Sequence, residues 1–276
     1  VRKTVINKTL LDVALLAALP QAHAHRQWLL PSSTQIEAKE AWVTIDAAVS
    51  ESLFEFDTNA LALEGLQITA PDGTFINPEN SYKGKFRSSI DIKLLQKGTY
   101  KISHVSQNIM ASYLLNGEQK RFRGTEDKMA KDIPAEATDI KVSRTFARLD
   151  TFVSSGKPTD TVLKPSNQGL ELVPITHPNE LFAQEKATFT LLLDGQPVAN
   201  TVVSIIAGGV RYRGVLGEIS VTTDAKGQLN VTWPYAGMYW LKASYPKAPE
   251  MQADGTRAPM PEKRYNYAAT LEVLPQ

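Results

Sequence analysis

From about residue 41 onward, apolar and polar side chains alternate in short runs, the period-two pattern of half-buried strands. Residues 41–49 are rich in β-branched and aromatic side chains. In 87–94, Ile90, Ile92 and Leu94 fall on one face, and Tyr100, Ile102 and His104 share a face of 98–105. Farther along, Phe189, Leu191 and Leu193 repeat the pattern, as do Leu229, Val231 and Trp233; 237–243 and 267–274 complete it. Turn residues separate the runs: Pro71-Asp72-Gly73-Thr74, Asn116-Gly117, Asp194-Gly195 and Thr223 to Gly227. Asn-Gly and Asp-Gly are the dipeptides that tolerate the two positive φ angles of a tight hairpin turn. Residues 123–137 carry Gly124, Pro134 and many charges and read as a loop with one helical turn. Strand character returns over 140–153, and 154–165 reads as a linker. Gly98/Tyr100 and Gly237/Tyr239 are matching points of a weak internal repeat. The expected fold is all-β, with two antiparallel β-sandwich modules at 25–160 and 168–276.

Residues 1–24 break this pattern and read as a cleavable signal peptide. Arg2, Lys3 and Lys8 precede the apolar run Val13–Leu19, Pro20 breaks the helix, and Ala22-His23-Ala24 is a small-x-small cleavage site. The run is far short of the ~20 residues that cross a bilayer. A periplasmic protein that does not span the membrane is expected.

Charge and composition narrow the options. Of 30 basic and 29 acidic residues the leader holds three and one, leaving 27 and 28. This balance gives no reason to expect nucleic acid as a partner. Cysteine is absent, which excludes disulfides, thiolate metal sites and cysteine nucleophiles. No phosphate loop, nucleophile elbow or HExxH helix is present. The chain offers no catalytic constellation, and Asp224 to Gly227 lacks the spaced carboxylates of a calcium loop.

The histidines are the candidate chemistry: His23, His25, His104 and His177. Cleavage after Ala24 makes His25 the first mature residue, whose α-amine and imidazole can chelate one ion together. The amine, with an ordinary pKa of about 7.7–8.0, loses its proton to a metal at modest cost. A further imidazole, from His104 or His177, completes a three-nitrogen set suited to Cu(II) or Ni(II). Cleavage after Ala22 would leave His23-Ala24-His25, which serves the same metals. His104, on the face of Tyr100 and Ile102, reads more readily as a packed core residue than as a ligand. His177 stands in Thr176-His177-Pro178-Asn179, a loop or strand entry. Met251 and Met260 are soft donors in a polar loop, or ordinary loop methionines. Gly208 to Gly214, with Arg211, Tyr212 and Arg213, reads as a hairpin end or a binding loop. Trp28, Trp42, Trp233 and Trp240 read as core anchors.

His25-Arg26-Gln27-Trp28-Leu29-Leu30-Pro31 after the Ala-His-Ala leader resembles a family of secreted bacterial proteins of unknown function. Its members are labelled nickel uptake transporter family proteins, by similarity to the substrate-specific component of nickel and cobalt transporters. The second module carries the same resemblance in Thr176-His177-Pro178-Asn179-Glu180-Leu181, Gly208-Gly209-Val210-Arg211-Tyr212-Arg213 and Ala236-Gly237-Met238-Tyr239-Trp240-Leu241. The resemblance implies Ig-like or transthyretin-like sandwiches and a periplasmic role beside a metal-uptake system in the cell envelope. Those transporters bind metal through an amino terminus and a nearby histidine, in keeping with the chelate above. The expected function is capture of nickel, cobalt or copper through His25, with His104 or His177. The alternatives are a copper-dependent oxidase using the same terminal histidine and a metal-free envelope scaffold.

Overall fold

A computed structural model describes residues 25–249, 252 and 258–276; the expected signal peptide, His23 and Met251 lie outside them. The first part of the chain forms β1 (Arg26–Pro31), β2 (Gln35–Ile36), β3 (Ala41–Ser50), β4 (Asn59–Ala60), β5 (Leu66–Thr69) and β6 (Phe75–Ile76). Next come β7 (Asn80–Lys83), β8 (Ser88–Leu94), the long β9 (Gly98–Leu115), β10 (Glu118–Gly124), α1 (Glu126–Asp132) and β11 (Thr138–Ser155). A 3-10 turn (Thr161–Leu163) leads to β12 (Leu170–Pro174), β13 (Lys186–Leu193), β14 (Gln196–Pro197) and β15 (Val202–Ala207). The chain ends with α2 (Val210–Arg213), β16 (Ile219–Thr222), β17 (Gln228–Thr232), β18 (Gly237–Tyr245) and β19 (Lys263–Val273). The fold is all-β, as the alternation predicts. Asn116-Gly117 and Asp194-Gly195 take φ values of 53°, 79° and 49°, 79°, the paired positive angles their hairpins require.

The strands make three layers. A ten-stranded sheet, β16-β15-β18-β19-β11-β9-β5-β6 with β10 on β9 and β2 on β11, runs through the middle. A five-stranded sheet, β1-β3-β8-β7 with β4, covers one face of it, and a four-stranded sheet of β12, β13, β14 and β17 covers the other. The described ladders are antiparallel except β2–β11 and β11–β19, two parallel pairings that alternation does not reveal.

Period-two geometry explains how one sheet serves two cores. On β11, Leu149 and Val153 point into the core with Leu29, Ile45, Ile92, Tyr100 and Ile102. Phe152, between them, points the other way, into a core with Phe189, Leu191, Trp233, Tyr239, Leu241 and Tyr267. Residues 149–155 are accordingly buried on both faces. The covering sheets are offset: one sits mainly over β5, β9 and β11, the other over β15, β18 and β19. Where the first covering sheet stops, the face of β18, β19 and β11 lies open. Residues 154–165 start as the buried end of β11, and Thr159 is bonded through both its N–H and its carbonyl.

Candidate functional site

The open face of the middle sheet is the floor of a cleft of about 870 Å³. Hydrogen-bond register fixes which side chains lie side by side on it. One row crosses the sheet as Ser204, Lys242, Ala268, Leu149 and His104. The next is Ser244, Asn266, Ala147 and Ser106, and the one beyond is Arg264, Thr145 and Asn108. Small residues in the middle of these rows make the depression, and cations stand at its margins.

The start of β1 forms one wall. Trp240 donates its indole N–H to the Gln27 carbonyl at 2.9 Å, and the Arg26 guanidinium lies 5.9 Å from the Trp240 ring centre. Behind them Trp28, Ala48, Leu53 and Ile206 pack with Trp240 in a separate apolar cluster, and Trp28 bonds the Ser50 hydroxyl at 2.8 Å. This wall places His25 at the mouth. Its side chain is 55% exposed, and its Nε2 is 3.6 Å from a Glu51 carboxylate oxygen.

His104 lines the same cleft from the far end of its row, 5% exposed. Its Nε2 is buried with no hydrogen-bond partner. Burial favours the neutral imidazole and pushes its pKa below the ordinary 6.5, against the opposing pull of the Glu64 and Ala62 carbonyls and the Glu64 charge. Gly65 lets the 61–65 loop close over this strand. It adopts φ +89°, and a Cβ there would stand 2.1 Å from the Val105 carbonyl oxygen.

His177 is elsewhere. It meets Thr99, whose odd position on β9 faces away from His104. Its Nδ1 accepts the Asn179 N–H at 3.1 Å, which puts the proton on Nε2, facing the Thr99 hydroxyl at 3.1 Å and the Thr159 carbonyl at 3.3 Å. No lone pair is left for a metal. The structure thus brings His25 and His104 to one cleft and sets His177 apart as a buried hydrogen-bonding residue. Among the described residues, no three His, Cys, Asp or Glu side chains converge as a metal site.

Other candidates resolve into structural roles. Gly208 to Gly214 is a helical turn in which Arg213 donates to the carbonyls of Ala207, Gly208 and Leu216. Asp224 accepts the Lys226 and Gln228 N–H groups, each at 2.8 Å, and closes its own turn. Trp28, Trp233 and Trp240 are core anchors, whereas Trp42 is 44% exposed beside Lys93.

The cations of the cleft are the feature that sequence reasoning missed. Arg26, Arg123, Arg148, Lys242, Lys247 and Arg264 all line it, with Glu218 the carboxylate at its edge. Burial lowers the Lys242 pKa, and the Arg264 and Arg26 charges lower it further, with Glu218 opposing. The signal was present in β18 and β19: Lys242 and Ser244, and Arg264 and Asn266, alternate with aromatic and apolar residues and mark one polar face on neighbouring strands.

The profile of a family described as "Domain of unknown function (DUF4198)" matches residues 22–247. No curated protein matches the chain. Among similar solved structures is the D0-D1 domain of intimin, 12% identical over 89% of this chain and 97% of that one, with a TM-score of 0.22. A tetra-tandem repeat of a large adhesion protein is 11% identical over 91% of this chain and 74% of that one, TM-score 0.23. The group B Streptococcus pullulanase SAP is 12% identical over 90% of this chain and 26% of that one, TM-score 0.18. At such scores these structures inform neither the fold nor the site. Among the described residues, no helix is long and apolar enough to cross a membrane.

Proposed function

This chain belongs to the family described as a domain of unknown function (DUF4198), and from its own residues we propose that it is an exported protein that binds a divalent transition metal through His25. The observation that carries this reading is that His25 and His104 line one cleft and that the buried His104 Nε2 has no partner. His25, freed by cleavage after Ala24, supplies its amine and imidazole at the mouth. His104, neutral and unpartnered at one nitrogen, is the histidine whose chemistry suits a further donor. Glu51 stands beside the His25 ring, where a carboxylate orients an imidazole ligand or adds a negative charge to the site. Nickel, cobalt and copper all suit nitrogen donors, and the resemblance to nickel-uptake proteins favours a periplasmic role beside a metal-uptake system.

Calorimetric titration of Ni(II), Co(II) and Cu(II) into protein beginning at His25 tests the reading. One extra glycine ahead of His25 replaces the basic amine with a peptide nitrogen while keeping every side chain. Changes outside the ligand set itself typically cost 10–100-fold in affinity, so loss of the amine should exceed roughly that. His104→Ala should weaken binding, and His177→Gln should leave it unchanged. Equal affinity with and without the added glycine overturns the proposal.

A further inference from the structure

Lys242 and Arg264 stand at opposite margins of the cleft floor. Lys242 is cross-strand from Ala268, four residues along β19 from Arg264, which separates the two backbones by roughly 14 Å. Ala147, Ser106 and a Ser244–Asn266 pair hydrogen-bonded at 2.8 Å line the same cleft as the two cations. Among the described residues, neither cation has a carboxylate within ion-pair distance. Glu218, the nearby acid, accepts instead from the Ser204 hydroxyl at 2.5 Å. The Arg264 Nε is buried with no hydrogen-bond partner at all.

This is a costly arrangement to keep for its own sake. A buried donor without a partner forfeits its hydration, and like charges in one partly desolvated cleft repel. Lys242 carries the mark of both: burial and the neighbouring arginine charges disfavour its protonated form. Unpaired cations gathered over a low polar floor are the pattern of a site whose counter-charge arrives with the ligand.

We propose that the cleft floor binds a small organic anion with two or more carboxylates, held between Lys242 and Arg264. The volume, about 870 Å³, is in the range of organic-ligand pockets and far beyond what a single inorganic ion fills. Two cations lining one cleft favour a ligand that carries more than one carboxylate. Ala147 and Ala268 on the floor give its carbon skeleton apolar surface. The site stands on residues other than the His25 chelate and is independent of metal.

The test uses metal-free protein and a panel of di- and tricarboxylates that includes citrate, with inorganic phosphate and glucose as controls. At least one carboxylate should bind, should bind roughly tenfold or more tightly than phosphate, and should weaken with rising salt. Lys242→Met and Arg264→Met should each lower that affinity by about tenfold or more, the scale of a charged hydrogen bond. Both variants should melt at or above the temperature of the unaltered protein, since each removes an unpaired cation. Salt dependence in the unaltered protein keeps the proposal testable if a variant does not fold. No binding by any carboxylate, binding equal to phosphate, or affinity unchanged in both variants overturns it. Because every arm omits metal, its failure leaves the His25 reading untouched, and the reverse holds.

Discussion

The indole N–H of Trp240 and the carbonyl of Gln27 are 2.9 Å apart although 213 residues separate them in the chain. This bond fastens the start of β1 to the rim of the cleft and so sets where His25 stands. Trp240→Phe keeps a ring in the cluster with Trp28 and Ile206 but leaves the Gln27 carbonyl without its donor. The expected cost is about 0.5–1.5 kcal/mol of stability, the net worth of one hydrogen bond at a part-buried site. Denaturant unfolding reads the first effect; the same variant should weaken metal binding without removing any proposed ligand. A variant as stable as the parent would mean that water replaces the bond at no cost.

His177 gives a contrast between a structural histidine and a ligand. Its ring links Asn179 to Thr99 and Thr159, and Asn179 in turn bonds the Ser154 hydroxyl at 2.8 Å and the Phe152 carbonyl at 3.0 Å. His177→Ala strands several of these groups and should cost about 2–4 kcal/mol. The melting temperature should fall by several degrees while metal affinity at His25 holds. Lost affinity with an unchanged melt would put His177 back among the ligands.

Asp57 makes part of the stability pH-dependent. Burial raises its pKa, but the N–H groups of Ser52 and Glu51 and the Thr58 hydroxyl outweigh burial and hold it below 3.8. A carboxyl whose folded pKa is depressed contributes stability above about 3.8, lost as pH falls through the folded value. Asp57→Asn should therefore destabilise the protein at pH 7 and make its urea midpoint less steep in pH between about 5 and 2. Because Asp57 is exposed, the effect should be small. Parallel pH profiles for the two proteins would assign the acid sensitivity to other carboxylates.

Much of the fold is legible because alternation is a local signal. Residues 41–49 and 187–193 alternate because one face is buried, and Asn116-Gly117 turns because only such residues accept its angles. The parallel meeting of β11 with β19 is not local, and no pattern in either strand announces it. The site divides the same way. His25 could be singled out from its neighbours in sequence, whereas His104 and His177 look alike there, each a polar residue in a β-rich stretch. What separates them is that one imidazole ends beside an unfilled nitrogen environment and the other inside a closed hydrogen-bond network. The cations went unread because Lys242 and Arg264 become neighbours only when β18 and β19 pair.

The opposed pointing of Phe152 and Val153 makes a single strand the common wall of two cores. Neither covering sheet can lift away without uncovering side chains anchored in the backbone that supports the other. The two halves are therefore expected to melt together in one transition, and a strain applied to either core is felt across the thickness of one peptide plane. The chain gains from this a rigid spine beneath the cleft, so that what binds on its floor rests on a surface clamped elsewhere along its length from above and below.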